Sequence, residues 1–204
     1  MKNRRGVLIA LGLLLFLAMP VVRGWFESHM TRHMLVQLPL ITATGWLLAG
    51  GRGPARASPL HAWNAYGLTG LLLGVLATSF WMIPRAIDAA RLLPWAEAAK
   101  FGSLLAAGAA FRYSWPLAGR IVQAFFLGNW CWMAAVVGLL YQDAPTRLCA
   151  VYLADEQINV GFWLVVAALL AFLAWCFDLW WSGDLRRLLG DDPVPMGAAD
   201  HVKS

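Results

Sequence analysis

The residues best suited to chemistry lie in one short stretch, His29-Met30-Thr31-Arg32-His33-Met34, which opens an apolar run. If the stretch is helical, His29 and His33 lie one turn apart on one face, because residues four apart are neighbours on a helix. Met30 and Met34 then form a parallel stripe beside them. Two imidazoles and two thioethers are borderline-to-soft donors, which suit copper better than calcium or magnesium. The pattern predicts a copper site; the alternative is two solvated histidines beside methionines that only pack.

The composition indicates which kind of protein holds this stretch. The 204 residues are 60% hydrophobic and 13% charged, whereas an average soluble domain has about 25% charged residues. With several long apolar runs, this composition predicts an all-α, polytopic transmembrane helix bundle. Residues 1–190 are expected to form that single domain, and residues 191–204 a polar, disordered cytoplasmic tail.

About six apolar runs are candidates to cross a bilayer, which takes about 20 residues. They cover residues 6–22, 28–49, 63–83, 96–115, 117–141 and 157–181. The first is expected to be an uncleaved helix that ends near Pro20, and the fourth is the weakest, so that five spans is the fallback. Small residues that favour close helix packing lie at Gly70 and Gly74 in the third run and at Gly102, Ala106 and Ala110 in the fourth.

Orientation follows from the basic residues of the short loops, which favour the cytoplasmic side. With the N-terminus in the cytoplasm, that side holds ten of them: Lys2, Arg4, Arg5, Arg52, Arg56, Arg112, Arg120, Arg186, Arg187 and Lys203. The other side holds Arg23, Arg32, Arg85, Arg91, Lys100 and Arg147, which share their loops with acidic residues. Both termini are therefore predicted to be cytoplasmic, in a multi-pass protein of the inner membrane. Since the basic residues are scattered, the net charge of +5 indicates the lipid bilayer and no nucleic acid as a partner.

This topology brings three distant segments to the extracytoplasmic face. His29 and His33 begin the second span there, and Trp81-Met82-Ile83-Pro84 ends the third. Asp155-Glu156-Gln157 opens the sixth span at the same face. The sequence therefore predicts that histidine, methionine and carboxylate side chains meet at one edge of the bundle.

Four motifs of this chain, in order over residues 25–165, are similar to those of a known family. They are His29–Met34 with Pro39 and Gly45, Trp81-Met82-Ile83-Pro84 with Asp88-Ala89-Ala90, Ser114-Trp115-Pro116, and Asp155-Glu156-Gln157 with Gly161. The chain resembles the CtaG-type cytochrome c oxidase assembly factors, integral membrane proteins implicated in supplying copper to a haem-copper oxidase. It is shorter, with about six spans where the family has about seven. Met82 stands where the family has a histidine, and Trp95 and Ala98 or Ala99 stand where it has others.

The resemblance implies a copper-binding membrane protein that is not an enzyme. Its partners would be a membrane oxidase or another copper-dependent client, and a periplasmic copper donor. The implied ligands are His29, His33, Met82 and one of Met30 or Met34, with Asp155 orienting an imidazole or capping the sixth helix. Thioether in place of imidazole shifts the preference towards Cu(I). The same departures also fit a relative that has lost the metal.

Two other kinds of function stay open. A haem- or quinone-associated electron-transfer subunit would use the Trp- and Phe-rich helices as walls, although His29 and His33 on one helix, roughly 6 Å apart, do not suit the two faces of one haem. A purely structural membrane subunit is the third hypothesis. The cysteines predict no disulfide, because Cys131, Cys149 and Cys176 lie at different depths. Cys149 is expected to be partly buried in its loop.

Overall fold

The computed structural model describes residues 2–50 and 63–183, and within them it contains helices and no strand. The all-α prediction is therefore confirmed for these residues. The predicted domain boundary at residue 190 and the tail 191–204 lie outside the described residues, as do His61 and His201.

Among the described residues, six helices follow the predicted apolar runs to within a few residues, whereas Pro20–Glu27 lies mostly and Pro84–Leu92 wholly in predicted loops. Helix α1 is Lys2–Ala18, α2 is Pro20–Glu27, and α3 comprises Met30–Arg32, a π-helical turn His33–Gln37 and Leu38–Leu48. A short 3-10 turn, Ala65–Gly67, precedes α4, Leu68–Phe80; α5 is Pro84–Leu92 and α6 is Pro94–Ser114. The chain ends its described part with α7, Arg120–Asp143, and α8, Ala154–Trp181.

Two helices, α7 and α8, are long and apolar enough to cross a membrane. The number rises to four if α1 with α2, and α4 with α5, each form one bent span. The predicted α6 span does not reach this standard, because Glu97, Lys100 and Arg112 interrupt its alanine-rich sequence. The structure thus supports a membrane protein with two to four candidate spans among the described residues, while the six spans and the cytoplasmic termini stay predictions.

Prolines account for both bends. The chain turns by 71° between α1 and Pro20–Glu27, and by 75° between α4 and Pro84–Leu92. Pro20 and Pro84 each stand at the first position of the new helix, where a missing N–H costs no hydrogen bond. The prediction that the first helix ends near Pro20 is confirmed, and α2 then carries the chain sideways to Glu27.

Glycines set the closest helix contacts. Helices α7 and α8 meet where Gly138 faces Gly161, and a Cβ on either would collide with the backbone carbonyl of the other. Helices α3 and α6 meet in the same way, because a Cβ on Gly45 would strike the Leu105 carbonyl and one on Gly108 the Thr42 carbonyl. Such contacts let helix backbones approach closely, and they fix the height of α6 against α3.

Of the two small-residue packing faces predicted from the sequence, the structure confirms the one on α4 and not the one on α6. Gly70 and Gly74 do pack against α6, where Cβ atoms would meet Ser114 and Phe111, so this face is confirmed. The face predicted on α6 itself is wrong at Gly102 and Ala106, which are exposed, whereas Ala110 is half-buried and its carbonyl lies near Gly70. The packed side of α6 carries Leu104, Ala107 and Gly108 instead. A four-residue spacing of small residues gives a possible face, but only the neighbouring helices decide which side is covered.

Candidate functional site

The structure brings together the three segments that were predicted to meet. At the start of α3, His29 Nδ1 lies 2.6 Å from Glu156 Oε1 at the start of α8. The turn after α4 joins the same region through Tyr141, whose hydroxyl donates to the Met82 carbonyl at 2.7 Å and whose carbonyl accepts from Gln157 Nε2 at 3.0 Å. The three segments therefore approach one another, and the next question is which of their side chains are in contact.

His29 does not belong to the helix that was predicted to carry it. Its backbone is extended, with φ −134° and ψ 134°, and it is the residue that precedes the first turn of α3. His33 does lie in α3, at the start of the π-helical turn, and is fully buried. The stacking of the two imidazoles on one helical face is wrong, because one of the two side chains leaves the backbone before the helix begins.

The His33 ring lies in a buried chain of hydrogen bonds. Its Nδ1 is 2.8 Å from the Tyr152 hydroxyl, which is also 3.1 Å from the Glu27 carbonyl. Burial raises the pKa of Tyr152, so the phenol keeps its proton at neutral pH. A carbonyl oxygen only accepts, and therefore Tyr152 donates to Glu27 and accepts from His33 Nδ1–H. This leaves the lone pair of the neutral His33 ring on Nε2.

Lys100 donates a hydrogen bond to that lone pair. The Lys100 ammonium, which is 0% exposed, lies 3.1 Å from His33 Nε2. It also donates to Glu27 Oε1 at 2.7 Å and more weakly to Gln37 Oε1 at 3.4 Å. We call Glu27, His33, Gln37, Lys100 and Tyr152 the Lys100 cluster. A carboxylate, an imidazole and an amide oxygen thus surround an internal ammonium, so the cluster already holds a cation of its own.

This arrangement holds four parts of the chain together. Glu27 ends α2, His33 and Gln37 lie on the π-helical turn, Lys100 comes from α6, and Tyr152 comes from the loop before α8. Since a buried charge is costly without a partner, the fold keeps all of these segments in place together. The Gln37 amide nitrogen is the one buried side-chain atom of the cluster without a hydrogen-bond partner.

The methionines lie elsewhere. Met34 and Met82 line an apolar cavity that no histidine lines, and Met30 is fully buried. Asp155 is exposed in the first turn of α8, and the residue preceding that helix is Leu153, so the expected Asp155 cap is wrong. Glu156, its neighbour, makes the contact with His29 instead. The structure does not bring His29, His33, Met30, Met34, Met82 and Asp155 to one point.

Among residues 2–50 and 63–183, no group of three His, Cys, Asp or Glu side chains is placed to hold a metal ion. The physical reason is visible at both histidines. His33 Nε2 accepts a hydrogen bond from the Lys100 ammonium, and His29 lies at the surface with 55% of its side chain exposed. A complete, preformed metal site is therefore not part of the described structure.

Sequence reasoning missed the residues that organise this region. Lys100 was placed among the basic residues of the outer loops, whereas it is wholly buried. One signal was available, since Lys100 falls inside a predicted span, and an ionisable residue there calls for a partner. Glu27 and Tyr152 gave no comparable signal, because each lies outside a predicted span.

Cys149 is buried more deeply than expected, at 1% exposure. Burial, with Asp88 nearby, raises the pKa of its thiol to about 12.

Because the thiolate is the reactive form, we expect Cys149 to resist a water-soluble maleimide at pH 7–9 and to react after unfolding in detergent. Mass spectrometry on a chain lacking Cys131 and Cys176 measures this. An Ala150→Cys variant, whose side chain is exposed in the same loop, should react at once; rapid reaction of Cys149 itself would contradict the assignment.

In comparisons with protein-family models, curated proteins and solved structures, this chain has no match.

Proposed function

We propose that the chain is an integral membrane protein that handles Cu(I) by binding it, without a catalytic step of its own. Its role would be the maturation of a haem-copper oxidase or a related copper-dependent client, as the CtaG-type motif order implies. The apolar helices support a membrane location. In this proposal both termini are cytoplasmic, and His29 lies at the extracytoplasmic edge of the inner membrane, where it meets a client or a periplasmic donor.

The observation that carries the proposal is the contact between His29 and Glu156. At 2.6 Å, the carboxylate accepts the Nδ1–H of the imidazole and fixes the ring. The lone pair then lies on Nε2, the usual arrangement of a metal-binding histidine and its carboxylate partner. Glu156 thus takes the orienting role predicted for Asp155. The exposed ring makes this nitrogen accessible to a metal carried by another protein.

The site offers one ligand rather than a cage. Met30 follows His29 directly but is fully buried, and the His33 lone pair is taken by Lys100. A single oriented imidazole holds copper weakly, and this suits a protein that passes the ion on. The partner would supply the remaining ligands, so we place copper at the contact between His29 and a second protein.

Copper transfer tests the proposal. Purified protein is titrated with Cu(I) in competition with a chromogenic chelator, alone and with a copper-loaded donor peptide. We expect His29→Ala to abolish binding and Glu156→Gln to weaken it by about 10- to 100-fold, the usual effect of removing the partner of a metal-bound histidine. His33→Gln should leave surface binding intact in every preparation that stays folded.

The matched control is the neighbouring carboxylate. Asp155→Asn removes an exposed charge next in sequence to Glu156 and should leave copper binding unchanged, as should His61→Ala. If Asp155→Asn and Glu156→Gln lowered the copper affinity equally, the loss would be due to surface charge in general and not to the contact between Glu156 and His29. Full copper binding by His29→Ala would overturn the proposal.

A further inference from the structure

A cavity of about 570 Å³ opens between the helices, and no residue of the Lys100 cluster lines it. Helices α3, α4, α6 and α7 form its walls, and Leu164 of α8 closes it from behind. Met34, Met82, Val75, Phe126, Trp130 and Trp46 are among its lining residues. The cavity is outside the proposed copper site and does not depend on it.

Contacts along α6 show that the cavity is elongated. At one end, Lys100 faces Gln37 and Ser103 accepts a hydrogen bond from Trp81, so Met34 and Met82 lie at this level. At the other end, Gly108 lies against the Trp46 backbone. Met34 and Trp46 are twelve positions apart, which corresponds to about 18 Å of helix at about 1.5 Å per residue. A long, narrow space suits a hydrocarbon chain better than a planar ring system.

The walls of this cavity, which we call the slot, offer almost no free hydrogen-bonding groups to a polar ligand. The two hydroxyl groups that line it are already used, since Thr42 donates to the Leu38 carbonyl and Thr78 to the Gly74 carbonyl. No charged residue lines the slot. A haem would find no histidine among the residues that line the slot to ligate its iron. Flexible methionines and aromatic rings instead adapt to an apolar chain.

The end of the slot at Trp46 carries positive charge. The Arg112 guanidinium lies over the Trp46 ring at 5.2 Å, and its Nε donates to the Gly50 carbonyl at 3.3 Å. Within the described part of the chain, no carboxylate pairs with Arg112. An anion is therefore favoured at this end, and arginine binds phosphate well.

From these two observations we propose that the slot binds one acyl chain of an anionic phospholipid. The chain runs from Trp46 towards Met34 and Met82, and the phosphate lies at Arg112. The acyl chain then fills the gap between α3 and α4, where the side chains of the two helices do not meet. The lipid is an integral part of the bundle rather than a molecule of the surrounding bilayer.

The test uses phosphatidylglycerol with a photoreactive diazirine in the middle of one acyl chain, and phosphatidylcholine with the same chain. The full-length protein is reconstituted with each lipid, irradiated and mapped by mass spectrometry. We expect phosphatidylglycerol to label Met34, Val75 or Met82 inside the slot. Ala43→Trp fills the slot from its rim and should remove this labelling, while Leu47→Trp, exposed on the same helix, should not.

A second pair of variants separates the phosphate from the chain. Arg112→Gln should lower the preference for phosphatidylglycerol by about tenfold, the value of one charge-assisted hydrogen bond. Arg120→Gln, which loses a contact to Asp178, should keep the preference. Val75→Phe replaces Ala43→Trp if the latter does not fold. Labelling confined to outward residues such as Leu72 and Leu76, or a co-purified isoprenoid quinone in the slot, would overturn the proposal.

Discussion

Replacing Lys100 with methionine is expected to lower the free energy of unfolding by about 3–5 kcal/mol, the usual cost of breaking a buried ion pair on one side. The Lys100 side chain is 0% exposed and that of Glu27 is 9% exposed. Without the ammonium, the Glu27 carboxylate and the His33 lone pair both lose their partner inside the bundle. Thermal unfolding of the detergent-solubilised protein, followed by circular dichroism, measures the loss.

The double variant Lys100→Met with Glu27→Gln distinguishes the ion pair from simple packing. It removes both charges together, and buried pairs replaced by neutral residues of similar volume are often tolerated. We therefore expect the double variant to recover most of the stability that the single variant loses. A double variant less stable than Lys100→Met alone would show that the charges are not what the fold requires.

The pair between Arg23 and Glu97 provides the surface comparison. Its nitrogen and oxygen are 2.8 Å apart, with the Arg23 side chain 36% exposed and the Glu97 side chain 16% exposed, so this pair is less buried than that of Lys100 and Glu27. Solvent screens such pairs, which contribute about 0–1 kcal/mol. Arg23→Met should therefore change the melting temperature little. The contrast between Arg23 and Lys100 depends on burial and not on the presence of an ion pair as such.

Of the two glycines in α6, Gly108 is expected to tolerate substitution by alanine less well, so that Gly108→Ala lowers the free energy of unfolding. Its Cβ would collide with the Thr42 carbonyl and come within 2.7 Å of the Trp46 nitrogen. Both are backbone atoms, which cannot turn aside, so α3 and α6 must separate. Overpacking of this kind costs about 1–3 kcal/mol and occasionally more, and the same unfolding measurement detects it.

Gly102→Ala is the matched control on the same helix. A Cβ at Gly102 meets nothing within 4 Å, and alanine is favoured over glycine in a helix by about 0.5–1 kcal/mol. Gly102→Ala should therefore leave the protein unchanged or slightly more stable. Equal destabilisation by both variants would contradict the assignment of the packed face of α6 to Gly108.

The sequence alone predicts a good part of the fold. Apolar runs give the positions of six helices to within a few residues, though not those of α2 and α5, because burying such runs in helical form satisfies every backbone group without outside partners. Pro20 marks the end of the first helix, and Gly70 with Gly74 marks a packed face. The order of the segments also predicts that the starts of α3 and α8 meet, which the His29–Glu156 contact confirms.

The candidate site is harder to predict from a pattern. The His-Met spacing assumes that a regular helix begins before His29, whereas the helix begins at Met30 and contains a π-helical turn. One residue of difference in where a helix begins redirects a side chain completely. Likewise, Asp155 and Glu156 are neighbours in the first turn of α8 and alike in chemistry, yet Asp155 is exposed and Glu156 contacts His29.

What the sequence by itself determined is therefore local: the positions of most helices, the end of the first helix near Pro20, the membrane character of the chain and the types of side chain at its edge. Only the tertiary structure decided the partners. Lys100 and Glu27 are 73 positions apart, and no periodicity relates them. Their pairing follows from the bend after α1, which carries Glu27 across the bundle, and from the height of α6 against α3. Long-range side-chain pairing depends on the relative placement of whole helices, and therefore His33 faces an ammonium where its pattern suggested a metal.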